Sequence, residues 1–442
     1  MSIYKDCDIR GIYLKELKES DAYFIGRALS TYARSGAFCV GGDFRLSTPA
    51  LKKNLIKGLN DSGSDVYDLG FIATPMMYYA LRRDGDKLAG GAMVTASHNP
   101  PEYNGIKFML GDSPVTKDII DRIKRIVESG DFANGSGKVT DAEIAGNYIS
   151  SMTDKFHAPK PLKVVVDAGN GSMSNVAPVA LRNAGYDVVE LFCEPDGTFP
   201  NRTPNPAQYD KLTAVCETVI NTRADMGVAF DADGDRAVFI DDAGKVVISE
   251  KSLVLFIKWL LDKKPTSVVY DQKSSSIVKK AVLDMGGTPI PERSGHTFIK
   301  RHFLEAGSAI AGEVSGHFFF GELGYDDALF ATFTLLQALE CWNISLSQAA
   351  GEIPCPPLTP DLRFPCAYSK QEEKLAEVRA AFPQGEVSLL DGVRIELDDG
   401  WLLVRKSVTA EEITLRAEGR DEHALNAILE KLSDVFEELK RR

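Results

Sequence analysis

No apolar run in this 442-residue chain is long enough to cross a bilayer. The most apolar helical stretch, Leu253–Leu261, is too short and carries Lys258. Positive charge is in deficit, with 51 Lys and Arg against 63 Asp and Glu and a net charge of −12. That balance argues against nucleic acid and acidic membrane as partners, since both need a basic face. It leaves open a locally positive site for a small anion. Seven cysteines (Cys7, Cys39, Cys193, Cys216, Cys341, Cys355, Cys366) are scattered, odd in number and never in C-x-x-C spacing. This speaks against a disulfide frame or a thiolate metal site and fits reduced thiols. Met1–Asp8 is charged and has no apolar core, so no signal peptide is expected and the expected location is the cytoplasm. Nothing marks an interface between copies, and a monomer is compatible with the sequence.

What is present is a long alternation of helix and strand patterns. Ala22–Tyr32, Pro49–Leu59 and Lys117–Val127 have helical spacing, while Phe38–Gly41 and Asp65–Leu69 read as strands. Such alternation predicts βαβ sheets with covered faces. The polar, glycine-rich Gly130–Gly137 reads as a linker. A second unit follows with strands at Leu162–Val166, Asp187–Leu191 and Met226–Phe230 and a helix at Asp210–Ile220. A third has helices at Ser252–Leu261, Ile277–Met285 and Thr297–Leu304 and strands at Ser267–Tyr270 and Ala309–Gly312. Ile353–Pro360 holds four prolines in eight residues and marks the clearest boundary. Beyond it Val393–Leu397, Trp401–Arg405 and Ile413–Arg416 read as a small antiparallel sheet. Leu425, Leu429, Leu432, Val435, Phe436 and Leu439 then share one face of a closing helix.

Three stretches repeat one pattern, an apolar strand running into a polar loop and an apolar strand returning: A-M-V-T-A-S-H-N-P, G-V-A-F-D-A-D-G-D-R-A-V-F-I and S-A-I-A-G-E-V-S-G-H-F-F-F. Ligands gather at the carboxyl ends of strands in α/β sheets, so three such loops predict one shared cleft. The first presents the Ser97 hydroxyl on a loop stiffened by Pro100 and Pro101, with His98 beside it and Lys107 on the returning strand. In the second, Asp231, Asp233 and Asp235 alternate around Gly234. Three carboxylates so close repel unless a cation or solvent intervenes, so the loop is either a hard-cation site or a solvated acidic turn. It is no EF-hand, because Arg236 and Asp242 occupy the positions where that loop needs Gly and Glu. The third offers Glu313, Ser315 and His317, suited to sugar hydroxyls or simply to a glycine turn around a core histidine. Arg405, Ser407 and Thr409, with Arg416 on the next strand, are compatible with a phosphate clamp or with an ordinary edge strand. Arg10, Arg45 and Arg236 read individually as surface ion pairs.

The ordered set D-I-R-G (Asp8–Gly11), G-D-F-R-L-S (Gly42–Ser47), T-A-S-H-N-P with Y-N-G-I-K (Tyr103–Lys107), D-A-D-G-D-R, S-G-H-T-F-I-K (Ser294–Lys300) and G-E-V-S-G-H resembles the α-D-phosphohexomutases, within them the bacterial phosphomannomutase/phosphoglucomutase group. The resemblance covers nearly the whole chain. It implies an α/β protein of four domains around a central cleft, three sharing a related α/β sandwich topology and the fourth a smaller α+β unit resembling the TATA-box-binding protein. The expected domains are 1–140, 141–246, 247–356 and 357–442. The same resemblance implies Ser97 as the phosphorylated residue, with Mg²⁺ held by Asp231, Asp233, Asp235 and a phosphoserine oxygen. It puts Glu313 and Ser315 on sugar hydroxyls, and Lys107 or His317 in proton transfer. Arg10, Arg236 and Lys273 would line the cleft, His296 would serve sugar recognition, and Arg405, Ser407 and Thr409 would grip the non-reacting phosphate.

The implied activity interconverts hexose 1- and 6-phosphates through a hexose 1,6-bisphosphate, which also serves as activator. Phosphoglucosamine mutase, a metal-dependent sugar phosphatase and a non-catalytic sugar-phosphate sensor are the alternatives. Two positions depart from the pattern: Val408 stands where the phosphate loop carries Asn or Gly, and Cys7 replaces an aromatic beside D-I-R-G.

Overall fold

Val164, Val165 and Val166, like Val268 and Val269, belong to continuous apolar runs of β-branched residues, as strands covered on both faces require. In the computed structural model, which describes residues 2–111, 113–262, 264–407 and 411–441, such strands form the centres of three related sheets. In the first, Phe38–Gly42 lies parallel to Val66–Phe71 on one side and to Gly90–Val94 on the other, and Tyr103–Leu110 returns antiparallel to Gly90–Val94. The second repeats this with Lys163–Asp167, Asp187–Leu191, Met226–Phe230 and the returning Ala237–Asp241. The third repeats it again with Ser267–Asp271, Thr288–Glu292, Ile310–Gly312 and Phe318–Phe320.

The three recurring stretches of the sequence are therefore topologically equivalent, each being the turn between the third strand and its antiparallel return. The first sheet carries extra strands, among them Ile9–Ile12 and Val139–Asp141. The expected linker Gly130–Gly137 is not free chain. Gly135 and Gly137 donate to Asp61 and Asn60 carbonyls, and Arg27 holds the Ala133 carbonyl.

The fourth unit is a fully antiparallel sheet in the order Leu362–Pro365, Glu412–Gly419, Gly400–Lys406, Val393–Leu397, Glu386–Ser388. Helices Tyr368–Ala381 and Glu422–Ser433 accompany it. The closing helix stops at Ser433, and a separate 3₁₀ turn covers Glu437–Arg441, so the expected single helix is two pieces. Apolar side chains form one cluster that crosses the first three units, from Met76 through Phe156 and Phe230 to Phe256 and Phe330. Phe256 alone meets the rings of Phe239, Phe318 and Phe320, and burying one such side chain contributes about 1.5–3 kcal/mol. The fourth unit has a separate core around Phe364, Ile395, Leu402 and Leu415. Among the described residues no helix is long and apolar enough to cross a membrane.

Candidate active site

The turn after Gly90–Val94 meets the turn after Met226–Phe230. Ser97 Oγ donates to Asp231 Oδ2 at 2.9 Å, across 134 residues of sequence. The hydroxyl is buried against the acidic turn rather than held out, with Ser97 only 1 % exposed. Its backbone is left-handed (φ 48°), a conformation that costs a non-glycine residue roughly 1–3 kcal/mol and is found where surrounding structure enforces it. The enforcing contacts are local: Ser97 N–H donates to Thr95 Oγ1, and Thr95 Oγ1 donates to Asp43 Oδ2.

The acidic turn is gripped from both sides. Thr74 donates its N–H to the Asp233 carbonyl and its hydroxyl to Asp233 Oδ2, while Ser172 N–H donates to the Ala232 carbonyl. Asp231 Oδ1 accepts from the N–H groups of Gly234, Asp235 and Arg236. Gly234 has φ 76°, and any side chain there would strike Met173, so the tight curl needs glycine. One oxygen from each of Asp231, Asp233 and Asp235 comes within 4.8 Å of the others, and all three residues are buried. Asp233 Oδ1 and Asp235 Oδ1 have no hydrogen-bond partner. Buried, converging carboxylate oxygens left without donors fit a hard divalent cation such as Mg²⁺.

Lys107 reaches the same cage, at 3.0 Å from Asp233 and 2.5 Å from Asp235. Burial alone would push its pKa down, but the two carboxylates outweigh burial and hold the ammonium well above its usual range. Asp231 is pushed well up, by burial first and then by Asp233 and Asp235. Burial and like charge push Asp233 the same way, yet Lys107 and the Thr74 hydroxyl leave it below the ordinary carboxylate value.

Across the cage, Arg236 Nε donates to His317 Nε2 at 2.9 Å, and His317 Nδ1 sits 2.7 Å from Asp326 Oδ2. A donor on Nε2 assigns the ring proton to Nδ1, with Asp326 as its acceptor. His296 stacks on His317 with ring centres 5.5 Å apart, which brings the Ser294–Lys300 loop to the same place. Glu313 Oε2 and Ser315 Oγ are buried without protein partners, as groups kept for a ligand's hydroxyls would be. Burial raises the Glu313 carboxyl. Arg10 joins the Ser97 loop through Asn99 and is anchored by Asp8.

The remaining expected residues lie toward the fourth unit. Lys273 pairs with Asp361 at 2.8 Å, and its carbonyl accepts from Arg416. Arg405 pairs with Asp391 at 3.0 Å, and Ser407 is buried. Thr409 and Val408 lie outside the described residues. Cys7 takes up the space beside Gly295 and Thr297, where burial pushes its thiol up to about 12. Arg45 and Arg236 are not surface ion pairs: both guanidinium groups are buried at this centre. Asp43, Thr74 and Asp326 were not singled out from sequence, because each acts on a partner 52, 159 or 9 residues away.

The chain matches, in order, the phosphoglucomutase/phosphomannomutase alpha/beta/alpha domains I (residues 1–134), II (146–244) and III (249–355) and the C-terminal domain (363–435). It belongs to the phosphoglucomutase/phosphomannomutase family, that is, to the α-D-phosphohexomutases. A phosphomannomutase/phosphoglucomutase of Pseudomonas aeruginosa is 35 % identical over 446 residues, covering 98 % of this chain and 94 % of the relative. A probable phosphoglucosamine mutase of Methanopyrus kandleri is 33 % identical over 437 residues, covering 97 % and 96 %. The crystal structure of a family protein from Burkholderia thailandensis superposes with a TM-score of 0.92 at 33 % identity, covering 99 % of this chain and 97 % of that one. A more distant fold relative, N-acetylphosphoglucosamine mutase of Aspergillus fumigatus (TM-score 0.65, 12 % identity, covering 99 % and 95 %), was crystallised with GlcNAc-6P and magnesium.

Proposed function

We propose that this phosphohexomutase interconverts the 1- and 6-phosphates of mannose, of glucose or of both, with Ser97 as the phosphoryl carrier and Mg²⁺ as the metal. The observation that carries the reading is the 2.9 Å contact between Ser97 Oγ and Asp231, which sets a hydroxyl against a cation cage. Phosphoryl transfer needs positioning and charge stabilisation more than covalent chemistry, and this centre is built of both. Phosphorylated Ser97 gives its phosphoryl group to a sugar hydroxyl: the P–O bond to serine breaks and a P–O bond to the sugar forms. The hydroxyl proton passes to His317 Nε2 as Arg236 turns from it to the anionic oxygens, while Lys107, already an ammonium, adds positive charge beside the cage. Asp231, Asp233 and Asp235 would hold Mg²⁺, which when bound supplies positive charge to the transferring group. Arg236 and Arg10 stand where they can steady anionic oxygens, and Glu313 and Ser315 have free acceptor and donor capacity for sugar hydroxyls. The resulting 1,6-bisphosphate turns end for end and returns its other phosphate to Ser97, while Arg405, Ser407 and Thr409 hold the phosphate that is not reacting.

The relative named as a probable phosphoglucosamine mutase keeps a glucosamine substrate as the second reading. A coupled assay of mannose, glucose and glucosamine 1-phosphates, with Mg²⁺ and a trace of hexose 1,6-bisphosphate, tests the proposal. Turnover of either or both of the first two supports it, turnover of glucosamine 1-phosphate alone replaces the substrate, and release of free phosphate in place of isomer makes the protein a phosphatase.

A further inference from the structure

Arg45 spends all five of its N–H groups. Nε donates to Asp43 Oδ2 at 3.0 Å, NH1 to the carbonyls of Pro100 (2.6 Å) and Tyr103 (3.1 Å), and NH2 to those of Ser97 (2.6 Å) and Asn99 (2.6 Å). The guanidinium is fully buried. An ion pair to Asp43 would need one or two of those donors; the other four gather carbonyls from a single short loop. That loop contains Pro100 and Pro101, which donate no backbone hydrogen bond, so local donors are few: Tyr103 N–H reaches the Pro100 carbonyl, and Arg45 adds four more to the loop.

Asp43 works from the other end. It accepts from Arg45, from Thr48 Oγ1 and from Thr95 Oγ1, and Thr95 Oγ1 in turn accepts the N–H of Ser97. Ser97 is thus held at its N–H through Thr95 and at its carbonyl by Arg45, one on each side of its left-handed φ. The second unit seals the arrangement. Phe199, itself left-handed at φ 51°, lies 5.0 Å from the Arg45 guanidinium, ring to cation. Three residues on, Arg202 binds Asp167 and the carbonyl of Phe230, the residue just before the aspartate turn.

We propose that Arg45, covered by Phe199, is a positioning residue for the reaction: it sets the Ser97 loop, and the Phe199–Arg202 segment fixes that loop's register against the Asp231 turn. The inference rests on the reading of Ser97 as phosphoryl carrier. Lysine at position 45 could still pair with Asp43, but it offers three donors from one point instead of five in a fixed fork.

The test compares Arg45→Lys and Phe199→Ala with the wild-type enzyme in mutase kinetics, thermal unfolding and hydrogen exchange of peptides spanning 95–104. For Arg45→Lys the expected result is a kcat lower by about 100-fold, the scale of a misplaced reacting group. KM should be little changed, the melting temperature near wild type, and exchange faster in that loop. Phe199→Ala keeps every donor but uncovers the cation, so a drop of about tenfold is expected from it. It also serves if Arg45→Lys does not fold. Wild-type kcat in either folded variant, or loop exchange unchanged in both, overturns the proposal. The exchange result does not depend on Ser97 carrying phosphate; failure of that reading would show instead as mutase activity surviving in Ser97→Ala.

Discussion

Ser97 and Asp233 show how much rests on single side chains here. Ser97→Ala removes the hydroxyl that donates to Asp231 and leaves a methyl in a buried place, so the fold should hold. Mutase turnover is expected to vanish, together with the mass increase of one phosphoryl group after incubation with hexose 1,6-bisphosphate; retained turnover would refute the carrier assignment. Asp233→Asn keeps the shape and the acceptor for Thr74 but removes one charge from the cage. Activity should drop by roughly 10–100-fold, and the Mg²⁺ concentration giving half-maximal rate should rise. A metal titration identical to wild type would count against Asp233 as a ligand. At this scale the sequence was legible wherever partners are neighbours in the chain. Asp231, Asp233 and Asp235 stand together in it, and the problem of three adjacent charges is visible at once. Arg45 was not legible, because its ligands are carbonyls of residues 97–103 and a carbonyl leaves no mark on a sequence.

Among the elements, the recurring turn between third strand and return was readable because its flanks are apolar and its tip polar in all three copies. The outer strands of the fourth sheet were not. Leu362–Pro365 alternates buried with exposed over four residues, and Glu386–Ser388 buries none of its three, too little for a pattern. Helix Tyr368–Ala381 buries only Gln371, Leu375 and Val378, so its apolar stripe is thin.

The helix Ala328–Trp342 carries a pH-dependent feature. Its N-cap, Asp327, accepts from Leu329 and Phe330 N–H and from the Tyr148 hydroxyl. Burial pushes its carboxyl up to about 7. The folded protein therefore holds this proton more tightly than the unfolded chain, where a carboxyl titrates near 4. Stability from it is complete below about pH 4 and is lost as pH rises through about 7, on the order of 4 kcal/mol in all. Asp327→Asn keeps a capping oxygen without titrating, so its melting temperature should fall less than wild type's between pH 5 and pH 8. Some slope should remain from Glu340, also raised to about 7 by burial. Parallel pH curves for the two proteins would rule out Asp327 as the source.

For the whole molecule, the division of the core matters most. Three units share one apolar cluster, and the fourth keeps its own. The fourth meets the third through polar groups at residue 250 and residues 272–276: Arg416 donates to Glu250 and to the Lys273 carbonyl, Gln272 to the Asp391 carbonyl, Ser276 N–H to Glu418, and Arg394 to the Gln272 carbonyl. The Arg394 guanidinium also covers the buried Trp401 ring at 3.8 Å. Arg416→Ala should weaken this seam by about 2 kcal/mol, the scale of a lost charged hydrogen bond. Trp401 emission should shift to the red, with faster exchange in residues 271–276. Unchanged emission and exchange would show that the seam does not depend on Arg416.

The proline-rich connector is only partly slack. Thr359 N–H bonds to Ala417 O, and Gly419 N–H bonds to Pro357 O, so the stretch not tied to the fourth sheet shrinks to Pro354–Pro356. One protease cut within those three residues would leave two pieces, each with an apolar interior of its own. The larger would keep the serine and its aspartates, and the smaller would carry off Arg405 and Ser407, proposed to hold the far phosphate. The serine, its aspartates and the groups proposed for the sugar hydroxyls would then sit in one molecule, and the clamp proposed for the second phosphate in another.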